Sequence, residues 1–258
     1  MGLYQEIRYN EDNMMRRGKF FVIEGIDGSG KKTQMDLLTA RLAQENISFQ
    51  TISFPRYGHP AAYFEETYLQ PNSLYGTPEQ VGPYHASYFF TLDRYDASFE
   101  VKRWLADGTH VIADRYVISN AAHQVGKIRD IKERERYVEW LYDLEYRQFE
   151  IPKPDLNIIL SLPVAIASRR IAGKQARMYL KSEQGAKDAH EMDEAHLRNS
   201  QEAYLWIAKK YPDEFRIVDC ADGDRELNEQ EIHERIWEIL KERLQLHNAR
   251  YILDSMKP

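Results

Sequence analysis

Apolar residues along the chain fall into short continuous runs separated by longer stretches with helical spacing. The run Phe20 to Ile23 is followed by glycines at 25, 28 and 30, and apolar side chains then recur at Met35, Leu37, Leu38 and Leu42. That pattern predicts a strand, a tight loop and a helix. Ser48 to Ser53 is a second strand candidate, ended by the turn sequence Phe54-Pro55-Arg56-Tyr57-Gly58. Helical spacing from Ala61 to Leu69 stops at residues 71–76. Thr77, Pro78 and Gln80 then form a capping-box start. Gly82-Pro83 interrupts the new helix, which resumes from Tyr84 to Leu105 and closes at Asp107-Gly108. Further strands are predicted at Thr109–Ala113, Leu156–Leu160 and Phe215–Val218. They alternate with helices over Ile131–Phe149, from Pro163 to near Ile171, over Ala189–Tyr211, and from the cap Asn228 through Leu244. Between residues 172 and 187 apolar residues thin out and Gly173, Lys174, Arg177, Lys181, Gly185 and Lys187 dominate, which reads as a mobile basic flap. Strands alternating with helices predict an α/β fold: a five-stranded parallel sheet with helices on both faces.

Composition narrows this picture. With 258 residues, 43% hydrophobic and 29% charged, the chain suits one domain with a large core. We place that domain at 19–245, with a lid at about 172–188, an N-terminal extension at 1–18 and a C-terminal tail at 246–258. A net charge of −6 leaves no footprint for broad nucleic-acid binding and points to small-molecule partners. The single cysteine, Cys220, excludes an internal disulfide framework and fits a reducing compartment as a buried thiol. Residues 1–17 lack the apolar centre of a signal peptide, and no run approaches membrane-spanning length, so the expectation is a soluble, cytoplasmic protein with no membrane partner.

The candidate chemistry begins at Gly25-Ile26-Asp27-Gly28-Ser29-Gly30-Lys31-Lys32-Thr33. A glycine loop between strand and helix turns backbone N–H groups towards an anion, the helix N-terminus adds partial positive charge, and Lys31 has the reach to meet the β and γ phosphates. Such a P-loop normally follows its lysine with Ser or Thr to hold Mg²⁺. Here Lys32 occupies that place and the hydroxyl comes one residue later, at Thr33. Asp114 ends a buried strand, where a carboxylate for Mg²⁺ belongs, and Arg115 beside it suits phosphoryl charge, with a salt bridge between the two as the plainer reading. Arg56 sits in a loop at a strand's carboxyl end, where ligands bind in open α/β sheets; a solvated charge is its alternative. Phe90 and Arg94 share a helix face and suit a planar base, although taken alone such residues read first as core, with Arg94 pairing Asp93 or Glu100. Ser119, Asn120, His123 and Gln124 either read a sugar or base or satisfy local backbone, and His123 lacks metal-ligand spacing.

These pieces together resemble the thymidylate kinases among the P-loop nucleoside monophosphate kinases. The resemblance runs from about Lys19 to Leu240, on GIDGSGKKTQ at Gly25, FPRYG at Phe54, FFTLDR at Phe89, DRYVISNAAHQ at Asp114, and residues 188–204. It implies a P-loop NTPase three-layer sandwich with a mobile lid, ATP as phosphoryl donor, Mg²⁺ as cofactor, dTMP as acceptor and a homodimer. By position it implies that Gly25, Gly28, Ser29, Gly30, Lys31, Lys32 and Thr33 bind ATP. Asp27 would contact the deoxyribose 3′-hydroxyl, Arg56 the dTMP phosphate, Phe90 the thymine face and Arg94 its exocyclic oxygen. Arg115 would bridge the two phosphates, with Asp114 near the metal, while Asn120 and Gln124 read base and sugar. His123 stands where the family carries an aromatic ring under the sugar. Gly28 in the loop and Lys174, Arg177, Lys181 and Lys187 in the flap resemble the flap-donating type, with Arg177 the catalytic cation in this reading. Asp188 and Glu191 then read as flap-proximal carboxylates, Glu191 towards the metal. The rival readings are a kinase for another nucleoside monophosphate or a deoxynucleoside, and a nucleotide switch, for which the chain lacks an NKxD base-reading motif.

Overall fold

Phe20–Glu24 (β1) is buried at all five positions, the signature of a strand with neighbours on both sides and helices on both faces. The computed structural model describes residues 17–179, 194–223 and 225–244, with side chains left out at 174–179. Its sheet has five strands in the order β2-β3-β1-β4-β5, where β2 is Phe49–Ser53, β3 His110–Asp114, β4 Leu156–Ser161 and β5 Phe215–Asp219. All four ladders are parallel. The burial patterns follow the order: β1 and β4 are near-continuous apolar runs, whereas the edge strands β2 and β5 carry exposed positions.

Helices α1 (Lys31–Gln44), α2 (Tyr63–Leu69), α3 (Pro78–Ala106), α4 (Val117–Val125), α5 (Ile131–Tyr142), α6 (Val164–Tyr179), α7 (Glu194–Lys210) and α8 (Glu229–Arg243) are the sheet's helical partners, and a single π-helical turn, Asp143–Gln148, follows α5. The capping boxes expected at Thr77/Gln80 and Asn228/Glu231 are both formed. Gly82 leaves helical geometry at φ 72°, so Gly82-Pro83 kinks α3 without ending it. A small antiparallel hairpin, Ala221–Asp222 with Arg225–Glu226 (β6 and β7), was not foreseen, because two-residue strands carry no periodic signal.

The end of the helix leading into the expected flap needs correction. The helix entering it does not stop near Ile171; α6 continues to Tyr179, so residues 172–179 of the expected lid are helical. Lysine and arginine are good helix formers, so a stretch rich in them continues a helix rather than ending it. Lys181, Lys187, Asp188 and Glu191 lie outside the described residues, as do the side chains of Lys174 and Arg177, and the following helix is described from Glu194.

Candidate active site

The glycine loop joins β1 to α1, and its backbone admits little but glycine. Gly25 and Gly28 have φ of 141° and 80°, and a Cβ at Gly28 would stand 2.7 Å from the carbonyl oxygen of Ala167 in α6. A side-chain cation at position 28 is therefore excluded by backbone. The cation that does lie against this turn is Arg170 of α6, which donates through Nη1 to the Gly28 carbonyl at 3.2 Å and pairs with Glu226. Sequence reading passed over it, as one half of an arginine doublet on an ordinary amphipathic helix.

Lys31 is buried and folds back on the loop, donating to the carbonyls of Gly25 at 2.9 Å and Ile26 at 3.1 Å. Asp27 lies 3.7 Å away. Burial, with Arg115 nearby, lowers the Lys31 ammonium to about 8. Lys32 points elsewhere: it is exposed and paired with Asp36, so it contributes no side chain to the loop's mouth. Thr33 is half-buried in the first turn of α1.

Arg115 pairs with Asp27 rather than with its neighbour Asp114. Burial alone would raise the Asp27 carboxyl, but Arg115 and Lys31 outweigh it and hold the group well below the usual carboxylate range. Arg115 takes a left-handed backbone conformation, φ 67°, and the fold fixes it from both sides. Glu24, fully buried at the end of β1, accepts from the backbone N–H groups of Tyr116 at 2.8 Å and Ser119 at 3.2 Å, capping α4 from another element. Its second oxygen accepts from the hydroxyls of Ser119 and Tyr204. Asp114, one residue before, has a buried Oδ1 with no hydrogen-bond partner. Mg²⁺ keeps several waters and needs only one or two carboxylates beside substrate phosphates, so this orphaned oxygen fits it. Among the described residues no cluster of three ligating side chains competes for that role.

The α4 residues diverge. Asn120 is buried with both Nδ2 and Oδ1 unpartnered, whereas Gln124 accepts from Lys127 at 3.1 Å. His123 stacks on His196 of α7, 5.1 Å between centroids, and approaches Arg115 at 3.5 Å. Since Arg115 only donates, His123 Nε2 accepts, and its Nδ1–H faces His196 Nε2 at 3.0 Å. Burial pushes the His123 imidazole well below its ordinary value, and Arg115 and His196 add to this.

A second cluster adjoins the first across β2 and β3. Arg56 is not a solvated loop charge: it donates from Nε to Asp93 at 2.7 Å, from Nη2 to Asp96 at 2.6 Å, and to the Asp93 carbonyl. Arg94 is buried and pairs with Glu145 in the π-helical turn, not with Asp93 or Glu100. Thr91 adds a hydrogen bond of 2.9 Å to the same carboxylate. Phe90, one turn before Arg94, is half-buried with its ring edge-on to Tyr68 of α2. Phe54 meets Tyr116 at 5.5 Å between ring centroids, which joins the two clusters. Glu145, Glu65 and His196 escaped sequence reading, since each acquires its meaning from a partner far along the chain.

Comparison with known proteins identifies the family to which such a loop and sheet belong. The thymidylate kinase family model matches residues 23–236. A thymidylate kinase of Afipia carboxidovorans is 30% identical, over 88% of this chain and 91% of its own. One from Mycobacterium tuberculosis is 29% identical over 60% of this chain and 71% of its own. The solved thymidylate kinase of Candida albicans superposes with a TM-score of 0.65 at 24% identity, covering 88% of this chain and 92% of that one, which establishes the likeness of fold.

Proposed function

Because this chain belongs to the thymidylate kinase family, its reaction is phosphorylation of dTMP at the expense of ATP, and we propose that the cluster around Asp27, Lys31, Asp114 and Arg115 carries it. The observation that supports this most directly is the convergence of the buried Lys31, the half-buried Arg115 and one orphaned carboxylate oxygen at the mouth of a glycine loop.

The bond between the γ-phosphorus of ATP and its bridging oxygen breaks as one forms to an oxygen of the acceptor's 5′-phosphate, leaving ADP and dTDP. A phosphate nucleophile needs no strong base, so positioning and charge neutralisation carry the step. In this reading the backbone N–H groups of Gly28, Ser29, Gly30, Lys32 and Thr33 cradle the donor phosphates, and Lys31 leaves the Gly25 and Ile26 carbonyls to meet them. Arg115 exchanges Asp27 for the charge between donor and acceptor, which frees Asp27 to accept from the acceptor's sugar hydroxyl. Arg56 meets the acceptor phosphate, and Phe90, Arg94 and Asn120 meet the base, for which Asn120 offers a free donor and a free acceptor. Mg²⁺, held by Asp114 and, within the first turn of α1, by Thr33, supplies charge neutralisation on the donor phosphates when bound.

No helix among the described residues is long and apolar enough to cross a membrane. The buried free thiol of Cys220 supports a reducing, cytoplasmic setting. A homodimer completes the reading: Tyr88, Leu92, Tyr95 and Phe99 leave an exposed apolar seam along α3.

The test is a coupled ADP-release assay across dTMP, dUMP, UMP, dCMP and thymidine. dTMP is expected to lead, with dUMP next; preference for any other acceptor overturns the specificity assignment. Arg115→Ala is expected to lower kcat by about 10³ to 10⁵ with an unchanged circular dichroism spectrum, on the scale of a transition-state arginine. Near-parental turnover would remove Arg115 from the chemistry.

A further inference from the structure

Glu65 is ionisable and 1% exposed, yet the phosphoryl transfer has no use for it. It reaches from α2 towards α3, where its buried Oε1 has no hydrogen-bond partner, no cation among the described residues pairs with it, and its carboxyl faces the carboxylate of Asp93, a side chain that is itself 0% exposed. Two buried carboxyl groups that face each other do not both ionise. Of the two, Asp93 is the anion, because its Oδ1 accepts from Arg56 Nε at 2.7 Å and its Oδ2 from the Arg56 backbone N–H at 3.0 Å. Glu65 therefore holds the proton. The groups that face it are Asp93 and Arg94 on α3 and Arg56 from the loop after β2. Arg94 is already neutralised by Glu145, and Arg56 by Asp93 and Asp96, so no cation is left over for an ionised Glu65. Burial, reinforced by Asp93, pushes the Glu65 carboxyl up to about 10.

We propose that Glu65 is a positioning residue, a neutral carboxylic acid that donates its proton to Asp93 and through Asp93 holds the Arg56 guanidinium at the acceptor pocket. This rests on the reading of Arg56 as the acceptor-phosphate residue. The proton has a clear purpose there. Asp93 and Asp96 already place two carboxylates on one guanidinium, and a third charge beside them would oppose a dianionic acceptor. As an acid, Glu65 keeps the geometry without that charge.

The experiment compares the full chain with Glu65→Gln, Glu65→Leu and Arg56→Ala. Glu65→Gln removes the titration and retains a donor to Asp93. Its melting temperature is expected to rise relative to the parent progressively from about pH 5 to about pH 9, because the folded parent keeps a proton that its unfolded chain releases. In dTMP kinetics Glu65→Gln is expected to hold KM within about twofold of the parent, and Glu65→Leu to raise it about tenfold with kcat within about threefold. A melting difference independent of pH overturns the protonated state. A Gln variant with KM as high as the Leu variant overturns the positioning role. An unchanged dTMP KM in Arg56→Ala overturns the acceptor reading of Arg56 and the positioning role with it, while the pH series still decides the proton.

Discussion

At the scale of single residues, the cations of this site do not wait in solvent: each is held by an acid. Arg115 is held by Asp27, Arg56 by Asp93 and Asp96, and Arg94 by Glu145. In the proposed reaction, the acid holding each of the first two stands in for charge that a substrate would bring. Arg94 and Glu145 are both buried, so their bond carries structural weight beside the contact proposed for Arg94 with the base. Removing one partner of such a pair leaves an uncompensated charge, typically at a cost of about 3 to 5 kcal/mol. Arg94→Leu is accordingly expected to lower unfolding free energy by about that amount in urea titration, and Arg94→Leu with Glu145→Leu to recover most of it. A single variant as stable as the parent would show that Glu145 is neutralised by other means. Residue positions were legible in the sequence where the geometry is local. The loop glycines, Lys31 and the Asp114-Arg115 pair are read from spacing alone. The acids were not, because Glu145 lies 51 residues from Arg94 and Asp27 lies 88 from Arg115. Spacing carries no information about contacts made by folding, and for the same reason Arg94 was assigned to the wrong partners.

At the scale of elements, α3 carries two faces with different destinies. Its inner face, with Ala86, Ala97, Val101 and Leu105, is buried in the core. Its outer face shows Tyr88, Leu92, Tyr95 and Phe99, spaced by four, three and four residues and exposed by 42%, 37%, 38% and 62%. Tyr95 and Phe99 already meet edge-on, so the seam is preorganised for a flat partner. We expect the parent to sediment as a dimer at micromolar concentration and Tyr95→Glu with Phe99→Glu to sediment as a monomer, each protomer retaining its circular dichroism. A monomeric parent removes the dimer. Most elements were legible from periodicity and capping residues, and their ends moved by only a residue or two. The exceptions are α4, β6 and β7, which the periodicity does not mark, and the end of α6, expected near Ile171 although the helix runs to Tyr179. Lysine and arginine are good helix formers, so an unbroken charged stretch without proline does not terminate a helix.

At the scale of the whole molecule, the site is a meeting of loops that belong to different strands. Residues 25–30 follow β1, Asp114 ends β3 with Arg115 next to it, and Arg56 follows β2, all at the carboxyl edge of one parallel sheet. Ligand binding therefore ties strands together, and stability should respond to it. At roughly 100 times its dissociation constant a ligand adds about 2.7 kcal/mol, or roughly 5 to 10 °C in melting temperature for a chain of this size. ATP with Mg²⁺ and dTMP are each expected to give such shifts in differential scanning fluorimetry. No shift with either would contradict binding at this edge. The architecture was legible because alternating strands and helices leave few parallel solutions, whereas the strand order was not, since local patterns do not say which strands become neighbours.

That order has a consequence during synthesis. β1 is made first but pairs with β3, some ninety residues on, and with β4, whose register sets Leu156 beside Phe21. Until β4 has left the ribosome, a strand with five fully sequestered residues in the finished molecule has an open edge and no cover on that side. Non-local pairing of this kind makes folding slow and leaves the nascent chain dependent on protection from aggregation. The phosphate loop, although encoded near the beginning, is among the last features to gain its shape, since Gly25 rests against Leu160 and Gly28 against Ala167. A ribosome stalled before that point carries a nucleotide-binding motif that has nothing to stand on.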